Sequence, residues 1–277
     1  MMLAKDDSKL AAVDAEPRGG ATAATAGEWL SRDENDPGGA VFSRRSKGHA
    51  GENRSVTGEP DSTGTNYAFS RRLVCLSAPH SAAAASYRSL QTHLSARHLR
   101  DGRRGLALIA PDSGTGCTTV AANLAIASAQ AGINTLLIDA NLGRPAVQDF
   151  ISPNAPAAGL AQMLRADSDD QEDAIYRNVR PKLSVLFAGA SSSSAQELVA
   201  GPKLKEVISH CIRSFDFTII DSPAVSAGPG ARQIAASVRY ALLIARKDVT
   251  SLKYAQRSGA ELAADRVKLV GSFLTEF

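Results

Sequence analysis

Residues 113–119 read SGTGCTT and follow shortly after the apolar run GLALIA at 105–110. A phosphate-binding loop has the pattern G-x-x-x-x-G-K-[S/T], in which the lysine reaches the β- and γ-phosphates of a nucleotide and the hydroxyl contacts magnesium. The glycines and threonines of this stretch fit such a loop, but Cys117 stands at the position of the lysine. The stretch therefore predicts a strand, a phosphate-binding loop and a helix in that order. The loop is expected to keep its backbone shape and to lack the positive charge of the lysine.

The residues predicted to bind a nucleotide include one arginine further along the chain. Backbone N–H groups at the start of a helix bind anions, helped by the partial positive charge there. Arg144, or an arginine from another chain, is the candidate for supplying the charge of the missing lysine. The predicted nucleotide-binding residues are Ser113, Gly114, Thr115, Gly116, Cys117, Thr118, Thr119 and Arg144.

The composition is that of a folded protein with one sizeable core and one tail. The chain has 277 residues, 44% of them hydrophobic, and a net charge of +3. No stretch approaches the roughly 18 apolar residues of a membrane span, and the first ten residues hold no apolar signal-peptide core, so a cytoplasmic protein is expected. Cys75, Cys117 and Cys211 are widely spaced and odd in number, which favours free thiols over disulfides or a Cys-x-x-Cys metal site.

Three segments are predicted along the chain. Residues 1–68 are rich in Gly, Ala, Ser, Thr, Asp and Glu without a sustained period, which is typical of a disordered tail. Residues 69–104 form a basic segment in which SYRSLQTHLSARHLR has the spacing of an amphipathic helix. Residues 105–277 are predicted to form the nucleotide-binding domain.

The positive charge is concentrated in the second segment. Residues 71–104 contain seven arginines and a single acid, Asp101. Such a belt suits anionic lipid, nucleic acid or an acidic partner. The alternative is a solvated helix face with ordinary arginines.

Short apolar runs alternate with longer helical patterns beyond residue 104. The strand-like runs are GLALIA (105–110), TLLIDA (135–140), LSVLFAG (183–189), FTIID (217–221), YALLIA (240–245) and VKLVGSFL (267–274). Their hydrophobicity is continuous rather than alternating, as in strands covered on both faces. An α/β fold is predicted, with a mostly parallel central sheet flanked by helices.

Polar side chains follow three of these strands. The phosphate-binding loop follows GLALIA, Asp139 ends TLLID, and Asp221 ends FTIID. Because ligands bind at the carboxyl ends of parallel strands, these groups are expected to lie together. Thr118, Asp139 and Asp221 are the predicted Mg²⁺ ligands, with ATP or ADP as the nucleotide, and Asp139 is the candidate catalytic base.

The chain from about residue 87 resembles the bacterial tyrosine kinases of capsule and exopolysaccharide synthesis. The matching stretches are SYRSLQTHL (86–94), SGTGCTTVAANLAIASAQAG (113–132), TLLIDANLGRPAVQDF (135–150), GLAQMLR (159–165), LSVLFAGASSSSAQELV (183–199), FTIIDSPA (217–224) and VKLVGSFLTEF (267–277). The resemblance implies a P-loop NTPase fold, a protein-tyrosine autokinase or ATPase activity, and a membrane polysaccharide co-polymerase as partner. It also implies a location at the inner face of the membrane through the cytoplasmic tail of that partner.

Several departures from the family pattern predict a weakened site. Cys117 replaces the P-loop lysine, Asn141 replaces a second aspartate, and Thr275 or a neighbour replaces an asparagine near the base. The sequence given has no tyrosine-rich tail after residue 275. These losses favour a pseudokinase-like regulatory partner that keeps nucleotide binding, with an active kinase or ATPase of the same pathway as the alternative.

The subunit-contact motif of the family, Glu-x-x-Arg-x-x-Arg, is reduced here. Ala85 and Gln91 flank Arg88 at the corresponding positions. The resemblance therefore implies weak self-association.

A partition-type positioning ATPase is the main alternative from another class. It shares the fold, and the basic belt suits DNA or membrane. Its loop carries an extra lysine at the position of Asp112, and its membrane-binding type ends in a basic amphipathic helix that is not seen here. No sequence-specific nucleic-acid binding is expected.

Two hypotheses remain open for the thiol at the loop. If Cys117 faces the loop, the helix start favours its thiolate and lowers the thiol pKa, so it should react quickly with iodoacetamide and be protected by nucleotide. If it packs against the sheet, it is a small, inert and buried side chain.

Overall fold

The computed structural model describes residues 56–57, 66–155, 157–165, 174–189 and 194–276. The strands are β1 (Val56–Thr57), β2 (Tyr67–Phe69), β3 (Gly105–Ile109), β4 (Thr135–Asp139), β5 (Ile151–Pro153), β6 (Tyr176–Arg180), β7 (Leu183–Leu186), β8 (Phe217–Asp221), β9 (Tyr240–Arg246) and β10 (Lys268–Thr275). The α-helices are α1 (Val74–Ser77), α2 (Ala82–Leu94), α3 (Cys117–Gln130), α4 (Leu160–Arg165), α5 (Ala195–Ala200), α6 (Lys203–Ser214), α7 (Gly230–Val238) and α8 (Leu252–Ala264). Most of the predicted tail, residues 1–68, lies outside the described residues, and the three predicted segment boundaries stay a prediction.

A seven-stranded sheet forms the centre of the protein. Its strand order is β10-β9-β3-β8-β4-β7-β6, and every pairing is parallel except that of β6 with β7. A second sheet, β1-β2-β5, is antiparallel. The mostly parallel α/β architecture predicted from the strand runs is therefore present.

Helices cover both faces of the large sheet, as the continuous hydrophobicity of its strands requires. Alternate residues of β3 belong to different cores: Leu106 and Leu108 lie in the core beneath α2 and α3, whereas Ala107 and Ile109 lie in the core shared with α4 to α8. All residues of β3, β4 and β8 are buried. These three strands form a rigid base for the polar residues at their carboxyl ends.

The segment before β3 packs on the sheet through α2. Tyr87, Leu90 and Leu94 are buried, as their helical spacing predicts, and the Tyr87 ring stacks on Phe273 of β10 at 5.7 Å between centroids. Asn123 of α3 also fastens this segment, since its side chain accepts from the Cys75 N–H and donates to the Arg72 carbonyl. A π-helical turn, Ser95–Leu99, follows α2.

Part of the basic stretch makes intramolecular contacts. The Arg72 guanidinium lies 4.1 Å from the centroid of the Phe150 ring, and Arg103 pairs with Asp101 at 3.1 Å. Arg88 donates to the Pro79 carbonyl at 2.7 Å. Three of the seven arginines therefore make contacts within the chain. Among the described residues, no helix is both long and apolar enough to cross a membrane.

Candidate nucleotide-binding site

The loop between β3 and α3 has the backbone of a phosphate-binding loop. Gly114 and Gly116 adopt φ of 77° and 87°, a left-handed conformation that glycine tolerates without strain. Gly116 is the N-cap of α3, so Cys117 begins the helix. Ser113 and Gly114 are exposed, whereas Thr115 is buried. The first turn of α3 consequently directs unpaired backbone N–H groups towards this loop.

Thr118 and Asp221 meet at the carboxyl ends of the strands. The Thr118 hydroxyl donates to Asp221 Oδ2 at 2.6 Å, although the two residues are 103 positions apart. Asp221 Oδ1 is buried and accepts no hydrogen bond of good geometry within the described part of the chain, although the Cys117 thiol lies close enough to this carboxylate for the two groups to shift each other's pKa. Burial, followed by the neighbouring Asp139 carboxyl, raises the pKa of Asp221 to about 7. The structure thus brings together two of the three predicted metal ligands.

Asp139 lies beside Asp221 but holds its own loop. The two aspartates are directly paired in register between β4 and β8. Asp139 Oδ1 accepts from the N–H of Asn141 at 3.0 Å, and Oδ2 accepts from the N–H groups of Ala146 and Val147, both at 2.9 Å. Burial raises the pKa of Asp139, and these N–H groups oppose that shift. Both carboxylate oxygens therefore order the 140–147 loop, and the proposed base or metal role stays a prediction.

Arg144 and Thr119 occupy different surroundings. The Arg144 side chain is exposed, and its backbone N–H donates to Asn141 Oδ1 at 3.3 Å. Thr119 is half-buried in the first turn of α3, where its carbonyl accepts from Asn123. Asn141, which replaces an acid of the family pattern, thus stabilises the turn that carries Arg144.

The Cys117 thiol points towards the sheet. Its Sγ donates to the carbonyl of Leu108 in β3 at 3.4 Å. Burial, and then the negative charge of Asp221, raises its thiol pKa well above the ordinary value. The hypothesis of a loop-facing thiolate with a lowered pKa is therefore wrong, because contact with the sheet and a carboxyl outweighs the helix start.

All three cysteines are expected to react slowly with iodoacetamide at pH 7. Burial also raises the thiol pKa of Cys75 and of Cys211 to about 12, so thiolate is scarce at every site. Mass-spectrometric labelling rates, with the urea-unfolded protein as the control, measure this. Rapid labelling of Cys117 in the folded protein, slowed by nucleotide, would contradict the orientation of its thiol.

Two residues that sequence reasoning did not assign to the loop hold its backbone. The Thr275 hydroxyl donates to the Thr115 carbonyl at 2.7 Å, and Arg246 Nη1 donates to the Gly114 carbonyl at 3.2 Å. The sequence marks Thr275 only as a replacement for asparagine, and no sequence pattern points to Arg246. Thr275 and Arg246 lie at the carboxyl ends of β10 and β9. Only the strand order β10-β9-β3 shows that these two ends approach the loop after β3.

Comparison with known proteins agrees with this architecture. Residues 105–273 match the family described as cellulose biosynthesis protein BcsQ. The chain belongs to this family. A Bacillus subtilis relative, tyrosine-protein kinase YwqD, is 27% identical over 205 residues, which are 74% of this chain and 85% of that protein. The predicted resemblance to bacterial tyrosine kinases is confirmed, whereas the predicted loss of catalytic power stays a prediction.

Solved structures confirm the predicted fold class. The kinase domain of the Escherichia coli tyrosine kinase ETK superposes with a TM-score of 0.67 at 22% identity, covering 74% of this chain and 79% of that domain. The septum site-determining protein MinD of Pyrococcus horikoshii OT3, complexed with Mg-ADP, gives 0.54 at 27% identity, covering 62% and 71%. The P-loop NTPase fold is common to both, so fold alone does not separate a kinase-like protein from a positioning ATPase.

The groups at the strand ends fit a magnesium nucleotide. Mg²⁺ takes oxygen ligands, often one or two carboxylates together with phosphates and water. Thr118 Oγ1 and the buried Asp221 Oδ1 supply oxygen atoms of this kind. Across the described ranges, no cluster of three or more His, Cys, Asp and Glu side chains could hold a metal ion alone.

Proposed function

We propose that this protein is a nucleotide-binding regulatory partner in exopolysaccharide or capsule biosynthesis, with a weakened kinase site. The observation that carries the proposal is the contrast between two neighbouring residues of α3. Thr118 keeps its hydroxyl on Asp221 at 2.6 Å, as a magnesium-nucleotide site requires. Cys117 turns its thiol to the Leu108 carbonyl and brings no charge to the loop. Binding groups are therefore retained where a catalytic cation is lost.

The retained groups suit ATP or ADP with Mg²⁺. Backbone N–H groups of the loop residues 113–117 and of the start of α3 would hold the phosphates. Thr118 and Asp221 would hold the metal ion, which neutralises phosphate charge when it is bound. Asp139 would keep the adjoining 140–147 loop ordered beside the nucleotide, because its carboxylate accepts hydrogen bonds from the N–H groups of that loop.

The weakened chemistry follows from electrostatics. Phosphoryl transfer depends on cations that stabilise charge in the transition state, and a P-loop lysine is one of them. Cysteine has neither the charge nor the reach. The candidate base is also less basic, because three backbone N–H groups donate to the Asp139 carboxylate and stabilise its anion. Slow phosphoryl transfer is the expected consequence.

The family supports a role in exopolysaccharide biosynthesis, and the reduced subunit-contact motif supports assembly through a partner protein. BcsQ is described as a cellulose biosynthesis protein, and cellulose is an exopolysaccharide. We place the protein at the inner face of the membrane, bound to the cytoplasmic tail of a polysaccharide co-polymerase. Gln91, at a position of the reduced subunit-contact motif, is largely buried and donates to Ser95 Oγ at 2.7 Å. This orientation supports weak self-association and assembly through the partner.

Two alternatives make different measurable claims. An active autokinase of the same pathway would produce phosphotyrosine on itself or on a co-expressed partner. A positioning ATPase is favoured by the similarity to MinD, and it would require nucleotide-dependent binding to vesicles or DNA. Asp112 stands where such ATPases carry a further lysine, which weighs against this second alternative.

Titration with a fluorescent ATP or ADP analogue is the test of the proposed function. Binding in the micromolar range is expected, tighter with Mg²⁺ than with EDTA, together with little ATP hydrolysis or phosphotyrosine. Thr118→Val should remove the Mg²⁺-dependent gain because it deletes the hydroxyl beside Asp221. Thr92→Val, at an exposed position of α2, is the control. Absence of binding at millimolar nucleotide would refute the proposal, and rapid turnover would favour the active kinase.

A further inference from the structure

A groove of about 790 Å³ lies between α6 and α7, on the face of the sheet opposite to α3. Its apolar lining includes Val199 of α5, Leu204 of α6 and Ala236 of α7. Clefts that bind ligands have volumes of roughly 300–1,000 Å³, so the groove is large enough for a tryptophan side chain and its neighbours. Among the described residues that line it, none belongs to the phosphate-binding loop or to the predicted metal ligands. The groove is therefore separate from the candidate nucleotide-binding site.

Two cations border the groove. Lys205 and Arg213 both line it, and they lie about 12 Å apart along the axis of α6. Both are exposed, and neither pairs with an acid within the described ranges. Arg232 of α7, in contrast, pairs with Asp265 at 2.6 Å. Because Glu206 is the only acid among the described lining residues, the groove is predominantly positive.

One segment of the same chain has the complementary chemistry. Residues 28–36 read EWLSRDEND, with four acids and one base, and so carry a net charge of −3. Trp29 is the only tryptophan of the chain, and with Leu30 it forms an apolar pair shortly before the acids at 33, 34 and 36. Tryptophan often anchors interfaces, since it buries a large area and loses little conformational entropy. The segment lies outside the described residues, and only its sequence enters the argument.

The length of the chain permits a contact between this segment and the groove. Trp29 precedes Val56, the first described residue, by 27 positions, and an extended chain of that length spans up to about 90 Å. This reach exceeds the diameter of a domain of this size. Asp33 and Asp36 lie about 10 Å apart in an extended chain, close to the spacing of the two groove cations. A tethered segment also has an effective concentration of roughly millimolar, so a contact of modest affinity is populated.

We propose that the groove between α6 and α7 is the docking site of residues 28–36 of the same chain. The Trp29 indole packs against Leu204 and Ala236, and the acids at 33–36 lie beside Lys205 and Arg213. The inference does not depend on the proposed nucleotide binding, because the two sites share no described residue. The docked segment excludes any other acidic segment from the groove.

Trp29 is a built-in probe of this contact, because the full chain contains no other tryptophan. Compared with the urea-unfolded protein, the folded protein should emit at shorter wavelength and be quenched less by acrylamide. Lys205→Glu combined with Arg213→Glu should raise the quenching constant about twofold, because the indole leaves its apolar contacts for water. Arg100→Glu combined with Lys253→Glu is the matched control: it makes the same charge change at two exposed positions outside the groove and should leave Trp29 fluorescence unchanged.

Three results would overturn the inference. One is a Trp29 emission in the folded wild type that equals that of the unfolded protein. Another is a short-wavelength emission that the groove variant leaves unchanged, because the indole would then be buried elsewhere. The third is a short-wavelength emission that disappears on dilution, which would assign the contact to the tail of a second copy. An emission that is independent of protein concentration is expected.

A second arm leaves the folded domain untouched. Asp33→Asn, Glu34→Gln and Asp36→Asn, made together, should change Trp29 fluorescence as the groove variant does. The tail and groove changes combined should have no further effect, since both remove the same contact. Additive effects, or a tail variant that fluoresces as the wild type does, would contradict docking at this groove. Thermal unfolding midpoints verify that the groove and control variants are folded.

Discussion

Cys117→Lys is expected to raise the affinity for ATP about tenfold or more, and to raise ATP turnover above that of the wild type. The backbone of the loop already has the left-handed glycines that the pattern needs, and Thr118 already contacts Asp221. A lysine at the start of α3 adds a charge-assisted contact with phosphate, and such contacts contribute about 1.5–3 kcal/mol each. Equilibrium titration and steady-state hydrolysis measure the two effects separately.

Cys117→Ala is the control for this gain. It removes the thiol contact with the Leu108 carbonyl without adding charge, so affinity should stay within about twofold. A folded Cys117→Lys protein with wild-type affinity would contradict the site as described. A gain in affinity without a gain in turnover would locate the remaining defect at Asp139 and Asn141.

The six strand runs in the sequence correspond to β3, β4, β7, β8, β9 and β10 because buried parallel strands have continuous hydrophobicity. The helix breaks were equally predictable. Pro202 separates α5 from α6, and Gly132, at φ 85°, follows the end of α3. These features depend on local chemistry, which a sequence contains directly.

β6 was not predicted, for an equally local reason. It reads YRNVR and lies at the edge of the sheet against β7, with Arg177 and Asn178 exposed. Asn178 adopts φ 54°, which interrupts the extended pattern. An exposed polar edge strand carries neither a continuous nor an alternating apolar signal. Its pairing with a buried neighbour becomes apparent only in the folded sheet.

The site was predictable where residues follow a strand and hidden where strands approach one another. Asp221 and Thr118 were expected together because both belong to motifs at strand ends. Arg246 contacts Gly114 across 132 positions, and Thr275 contacts Thr115 across 160. These contacts require the order β10-β9-β3, which hydrophobic runs do not specify. The orientation of the Cys117 thiol was likewise undetermined, since the sequence shows its position and not its rotamer.

Asp221→Asn is expected to stabilise the nucleotide-free protein relative to the wild type by an amount that grows between about pH 4 and pH 7. Burial and the Asp139 carboxyl raise the pKa of Asp221 from 3.8 to about 7 in the folded state. Between about pH 4 and pH 7, folded protein therefore retains a proton that unfolded protein releases, so stability falls as pH rises through this window. The slope approaches about 1.4 kcal/mol per pH unit where a single group titrates.

Urea unfolding of the wild type and of Asp221→Asn at pH 5, 6, 7 and 8 measures this difference. The stability difference between the two proteins should widen from pH 5 to pH 7, because unfolded wild-type protein releases the Asp221 proton that folded protein retains, and should level off between pH 7 and pH 8. Asp216→Asn is the matched control, because Asp216 is exposed beside the opposite end of β8 and its change should leave the pH slope intact. The same slope in Asp221→Asn as in the wild type would show that another group titrates in this window.

The buried carboxyl also explains why a divalent cation suits this position: a cation beside Asp221 stabilises the charged form that burial disfavours. Added Mg²⁺ and ADP should therefore reduce the pH slope of the wild type and leave that of Asp221→Asn unchanged.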